Sequence, residues 1–182
     1  MPRAAIRLSQ RENVPQYGGG TEIDMRILVF SDSHKNTSRC AAVIRNLVGI
    51  DMILHAGDHC SDAEELAHEF PEIPMKYVRG NCDFSAAPQE LVIEAEGKKI
   101  LLTHGHAYAV KYERDCRSLL ERAKECGCDC AVFGHTHEGL CDASRGVVLL
   151  NPGSIKYGGT YGVIEIEDGK LKAAVCDASY LA

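Results

Sequence analysis

Short apolar runs of strand length recur along this chain, and five of them stop abruptly at residues able to turn the backbone or bind a cation. Arg26-Ile27-Leu28-Val29-Phe30 runs into Ser31-Asp32-Ser33-His34, and Met52 to His55 into Gly57-Asp58. Met75 to Val78 leads to Gly80-Asn81-Cys82-Asp83, Lys99 to Thr103 to His104-Gly105-His106, and Cys130 to Phe133 to Gly134-His135-Thr136-His137. Runs this short and this apolar suit buried strands. Between the first three lie helical periods. Cys40, Val43, Ile44, Leu47 and Val48 follow the candidate caps Asn36, Thr37 and Ser38. Leu66, Ala67 and Phe70 follow a Ser61/Glu64 capping-box pattern. Strand, helix, strand, helix, strand predicts a parallel sheet covered by helices.

The later half is richer in strands. Leu91 to Ala95 and Lys99 to Thr103 flank a turn at Gly97, and Cys116, Leu119, Leu120 and Ala123 mark a helix stopped by Gly127. Val147 to Leu150, Tyr161 to Ile166 and Leu171 to Val175 follow, the last two joined by an Asp168-Gly169 hairpin turn. The expected fold class is α/β, two packed mixed β-sheets flanked by helices. A chain of 182 residues suits one such domain. Met1 to Asp24 carries no sustained apolar period, so it is expected to be a flexible N-terminal extension, with the domain spanning 25–182.

Composition narrows the partners. The net charge of −6 and pI near 5.7 disfavour a nucleic acid, which calls for clustered Lys and Arg. No apolar segment is long enough to span a bilayer, and the first residues lack the apolar core of a signal peptide. Nine cysteines, an odd number, are then expected as reduced thiols in a cytoplasmic protein. Cys126-Gly127-Cys128-Asp129-Cys130 lacks C-x-x-C spacing and leads into an apolar strand, which favours buried thiols over a zinc site.

The five run ends carry the chemistry. Taken singly, a Gly-Asp, an Asn or a His in a turn is usually structural. Together they present four histidines, two carboxylates and an amide, each ending an apolar run. Open α/β sheets place ligands at the carboxyl ends of strands. In an extended segment residues two apart point the same way, so Asp32 with His34, and His135 with His137, can each address one point. Glycines beside Asp58, Asn81, His104 and His135 suit sharp turns and close backbone approach. Seven such ligands around one mouth imply cations.

Asp-x-His, Gly-Asp, Gly-Asn, His-Gly-His and Gly-His-Thr-His, in this order, resemble the calcineurin-like metallophosphoesterases from Met25 to about Asp177. Gly80-Asn81-Cys82-Asp83 and Asn151-Pro152-Gly153-Ser154 are similar to the small bacterial and archaeal phosphodiesterase branch, which includes the eukaryotic retromer scaffold subunit. The resemblance implies a four-layer α-β-β-α sandwich with two divalent ions. One would be held by Asp32, His34 and His137, the other by Asn81, His104 and His135, with Asp58 bridging. Carboxylates mixed with imidazoles suit Mn²⁺, with Ni²⁺, Co²⁺, Fe²⁺ or Zn²⁺ as substitutes, rather than Ca²⁺. Two such ions activate a water and clamp phosphate oxygens, so hydroxide on the metals would attack a small phosphodiester.

Two departures bear on mechanism. Many relatives place a His after the Gly-Asn pair, where this chain has Cys82, a weak proton donor; His106 and His59 are the candidate substitutes. Where relatives continue Asn-Pro-Gly-Ser with a Pro-Arg pair, this chain has Ile155-Lys156-Tyr157-Gly158-Gly159, leaving Lys156 as a weaker phosphate contact. The catalytic candidates are Asp58, Asn81 and His104, with Cys82 and His106 as weaker ones. The function expected is a dinuclear-metal phosphodiesterase; a phosphomonoesterase, a nuclease or a non-catalytic scaffold are the alternatives. The expected partner is a small phosphate ester, and a homodimer stays open. A chain starting at Met25 should match the full chain in melting temperature and turnover; a large loss in either would show that the extension contributes.

Overall fold

The computed structural model describes residues 23–181, so the expected extension falls almost wholly outside the described residues. Ten strands form two five-stranded mixed sheets. The first contains β1 (Met25–Phe30), β2 (Met52–His55), β3 (Met75–Tyr77), β9 (Thr160–Glu167) and β10 (Lys170–Asp177), in the order β10-β9-β1-β2-β3. In it β1, β2 and β3 are parallel, β9 runs antiparallel to β1, and β10 antiparallel to β9. The second contains β4 (Glu90–Ala95), β5 (Lys98–Thr103), β6 (Cys130–Val132), β7 (Gly139–Asp142) and β8 (Val148–Pro152), in the order β4-β5-β6-β8-β7. Its parallel centre is β5, β6 and β8.

The period-2 alternation of side chains explains the layers. Ile27 and Val29 of β1 point inward, with Leu54, Ile164 and Ile166, against Ile100, Leu102, Val132 and Leu150 of the second sheet. Leu28 and Phe30 point outward, where they pack with Ile53 against Val43, Ile44 and Leu66 of α1 (Thr37–Asn46) and α2 (Cys60–Glu69). Leu101, Ala131 and Leu149 cover Leu119, Leu120 and Ala123 of α3 (Arg117–Glu125). Strands buried on both faces read as continuous apolar runs. The four-layer sandwich is as expected.

Local boundaries differ in instructive ways. The first helix stops at Asn46; Leu47 is extended and Val48 lies 81% exposed, outside the apolar face. Ser61 is inside α2 rather than at its cap. The cap position is His59, and the first amide, of Cys60, donates instead to Asp83 Oδ1 at 2.7 Å, a partner 23 residues away. A long-range carboxylate thus does the work of a local capping box. The strand β7 is mostly exposed and only four residues long, too short to show an alternating apolar signal. All nine cysteines are free thiols, and Cys128 and Cys130 are buried in the cores, where the sequence places them.

Leu150 is fully buried between the sheets. Leu150→Ala should cost about 2–5 kcal/mol through lost burial and a cavity. That corresponds to a fall of roughly 5–20 °C in Tm by calorimetry.

Candidate metal centre

The strand ends of both sheets converge on one edge, and Asp32 stands where they meet. Its carboxylate is fully buried. Oδ2 accepts the Ser31 hydroxyl at 2.5 Å and, from the other sheet, the His135 amide at 3.0 Å. Oδ1 has no hydrogen-bond partner. It faces His137 Nε2 at 3.1 Å and His34 Nε2 at 4.0 Å, and those two nitrogens lie 3.4 Å apart. Gly134 makes the approach feasible, since a Cβ there would lie 1.8 Å from Ser31 Oγ and 2.6 Å from Asp32 Oδ2.

The second group forms around Asp58 and His104. His104 is buried, and its Nδ1 lies 2.7 Å from the Ala56 carbonyl, which only accepts. That contact assigns the proton of the neutral ring to Nδ1 and leaves a lone pair on Nε2. Nε2 faces Asp58 Oδ1 at 3.3 Å and Asn81 Oδ1 at 3.2 Å. Asp58 Oδ1 also accepts the Cys82 amide at 3.1 Å. Burial alone would raise the Asp58 carboxyl, but the hydrogen bonds from Cys82 help to hold it below its ordinary value. A Cβ on Gly80 would sit 2.0 Å from Asp58 Oδ1, so the backbone here must be bare.

The remaining expected residues flank these groups. His135 stacks edge-on to His104 with centroids 5.0 Å apart. Burial above all, with the positive charge of Lys111 adding to it, pushes its pKa down to about 4. His106 lies 5.5 Å from His104, its Nδ1 buried without a partner, and burial lowers its pKa. His59 packs edge-on against His34. Desolvation, then the Asp58 carboxylate, pushes the Cys82 thiol up to about 11. Lys156 Nζ donates to the His34 carbonyl at 3.0 Å.

One geometric expectation is corrected. Asp32, His34, Asp58, His135 and His137 are not extended; all have positive φ, from 44° to 69°. Asp32 and His34 still converge, but His135 and His137 face different groups. For non-glycine residues this region costs of order 1–3 kcal/mol each.

Other residues hold that strain, through partners distant in the chain. Fully buried His55 accepts the Gly57 amide on Nδ1 at 3.3 Å, so its Nε2 donates to Ser33 Oγ at 3.0 Å. Ser33 in turn donates to Asp62 Oδ2 at 2.6 Å, which also takes the Lys35 amide at 2.7 Å. Asn151 Nδ2 donates to the Gly134 carbonyl at 2.9 Å and to Thr136 Oγ1 at 3.0 Å. Ser154 Oγ donates to the Asp32 carbonyl at 2.8 Å. A strand-end His and an Asn-Pro-Gly-Ser turn were visible as motifs, but their partners lie far away in the chain.

Divalent cations fit this donor set. Asp32, His34 and His137 form one group, and Asp32, Asp58 and His104 another, with ligand atoms within 4.8 Å of one another in each. An orphaned buried carboxylate oxygen and lone pairs facing lone pairs are what a cation would satisfy. A cleft of about 420 Å³ opens beside His135–His137, lined by Val110, Lys111, Phe133, Thr136 and Leu140. Among the described residues no helix is long and apolar enough to cross a membrane.

A four-layer sandwich with carboxylates, imidazoles and an amide gathered at its strand ends defines a metal-binding phosphoesterase scaffold. The chain belongs to the calcineurin-like phosphoesterase superfamily, whose domain model matches residues 25–169. It is 36% identical over 135 residues to a probable metallophosphoesterase of Bacillus subtilis, covering 72% of this chain and 76% of that protein. It is 26% identical over 149 residues to a phosphodiesterase of Methanocaldococcus jannaschii, covering 71% of this chain and 83% of that protein. Among solved structures, a predicted phosphoesterase of Streptococcus pneumoniae superposes with TM-score 0.70 at 28% identity, covering 85% of this chain and 90% of that one.

Burial pushes the His55 pKa from its ordinary 6.5 down to about 4. The unfolded chain therefore binds this proton first, so stability from neutral His55 is present above pH 6.5 and lost as pH falls through 4. In metal-free protein, His55→Gln should flatten the pH dependence of unfolding free energy between those limits, as read by urea titrations. An unchanged slope would show that His55 titrates normally.

Proposed function

We propose that the protein is a phosphodiesterase of small molecules that uses two divalent ions, Mn²⁺ by preference. Asp32, His34 and His137 would hold one ion, and Asn81, His104 and His135 the other, with Asp58 between them. The observation that carries this reading is the convergence of carboxylate, amide and imidazole donors around the buried, partnerless Oδ1 of Asp32 and around Asp58 and His104. When bound, the ions would lower the pKa of a water and neutralise phosphate oxygens.

The chain's own groups set what the site favours. The Ala56 carbonyl keeps the His104 ring turned so that Nε2 faces Asp58 and Asn81. A thiol pushed up to about 11 stays neutral at neutral pH, and it donates a proton poorly to a departing oxygen. His106, its pKa lowered by burial, is mostly deprotonated there too. Leaving groups that depart as weak bases are thus favoured, and aryl phosphodiesters fit that description. The name of the archaeal relative supports diesters over monoesters. A non-catalytic scaffold is disfavoured, because every expected ligand position carries a ligand-type side chain.

Chelated protein should be inactive, and Mn²⁺ should restore hydrolysis of bis(4-nitrophenyl) phosphate well above that of 4-nitrophenyl phosphate. Asp58→Asn should lose bound metal and most of its turnover while remaining folded by circular dichroism. Full activity after exhaustive chelation, verified by elemental analysis, would refute metal dependence.

Cys82 separates leaving-group chemistry from metal chemistry. Cys82→Ala should keep its metals and cleave aryl diesters at nearly the wild-type rate. Cys82→His should raise the rate on alkyl or nucleoside esters, where a general acid contributes up to ~10²–10⁴-fold. Loss of aryl diester cleavage in Cys82→Ala with metals bound would assign the thiol an essential role.

A further inference from the structure

We propose that Tyr157 forms an aromatic shelf beside the metal centre and selects phosphate esters carrying a planar aromatic arm, either an aryl ring or a nucleobase. The inference rests on the phosphoesterase reading and adds a substrate class to it. The Tyr157 ring stacks on His137, with centroids 5.4 Å and planes 21° apart, and lies 5.2 Å from His34. Both imidazoles belong to the Asp32 group of donors. A phosphate held by that group therefore has the tyrosine ring as a near neighbour.

The ring is fixed but uncovered. The Tyr157 amide donates to Ser154 Oγ at 3.1 Å, and that hydroxyl donates to the Asp32 carbonyl, tying the shelf to the β1 loop. Lys156 Nζ lies 5.3 Å from the ring centroid while bonded to the His34 carbonyl, which steadies the shelf by a cation–π contact. Yet Tyr157 is 63% exposed, so the shelf stays open to a second ring. Phe84, fully exposed, lies three residues beyond Asn81 on a loop pinned by Asp83, whose carboxylate takes the Gly80 and Cys60 amides at 2.8 and 2.7 Å. An exposed aromatic thus adjoins the Asp32 group, and an aromatic face held in place stacks a planar ring that reaches it. The shelf occupies the segment Ile155 to Gly159, where the expected Pro-Arg pair is absent.

Calorimetric binding to the Mn²⁺-loaded protein tests this without turnover. The probes are adenosine 5′-monophosphate, phenyl phosphate, ribose 5-phosphate and inorganic phosphate. At least one ring-bearing ligand should bind about tenfold tighter than the two without a ring. Whether the gain falls on phenyl phosphate or on the nucleotide separates an aryl arm from a nucleobase. Tyr157→Leu should abolish the difference and leave the ringless ligands within twofold, whereas Tyr157→Phe should keep it. Manganese affinity, read by electron paramagnetic resonance, should be the same in all three proteins. Equal affinities in the wild type, a parallel loss for all four ligands, or weakened manganese binding in Tyr157→Leu would overturn the shelf. A protein that shows the ring preference but cleaves no diester would keep the shelf and lose the proposed function; cleavage without the preference would do the reverse.

Discussion

The carboxylate of Asp32 receives one hydrogen bond from each sheet's strand-end loop, Ser31 from the first and the His135 amide from the second. Both bonds fall on Oδ2, so the whole hydrogen-bonding capacity of Oδ1 is turned toward His34 and His137. The contact depends on Gly134, because any side chain there would collide with Ser31 and Asp32. Two independently hydrogen-bonded sheets are in this way locked at their carboxyl ends, and the mouth is assembled by the same bonds that lock them. Sheet packing and site geometry are therefore one constraint.

That constraint explains the backbone strain. Five ligand-type residues occupy the left-handed region, at an estimated few kcal/mol in total even at the low end of the usual range. The apolar layers below cannot select this conformation, since they stop at Phe30, His55, Val78 and Phe133. Buried polar bonds select it instead. Asp62 and His55 clamp Ser33, Asn151 clamps the Gly134 carbonyl, and Ser154 clamps the Asp32 carbonyl. Each is a satisfied bond in a low-dielectric setting, where an unmade one is costly.

The contrast between these two sets of residues accounts for what the amino-acid pattern disclosed. Ile27 to Phe30 declared a strand buried on both faces, and Asp168-Gly169 a hairpin, because the signals lie in adjacent residues. The ligand-type residues were legible for the same reason, each lying directly after an apolar run. The cap of α2 misled, since Asp83 satisfies it from 23 residues away. The Ser33–Asp62, His104–Ala56 and Ser154–Asp32 bonds span 29, 48 and 122 residues, and no local period reports such pairings. β7 escaped notice because an exposed edge strand needs no apolar alternation.

The direction of side chains at the mouth follows from the same physics. Extended geometry would have aimed His135 and His137 at one point. The left-handed turn instead sends His137 toward Asp32 and His34, and His135 toward His104. One dipeptide step thus serves both donor groups, and Thr136 between them is held by Asn151. Acceptors accumulate at this edge, while Lys156 donates to the His34 carbonyl and Lys111 lines the neighbouring cleft. A surface that concentrates lone pairs while withholding donors is poor design for a structural core and apt design for binding divalent ions.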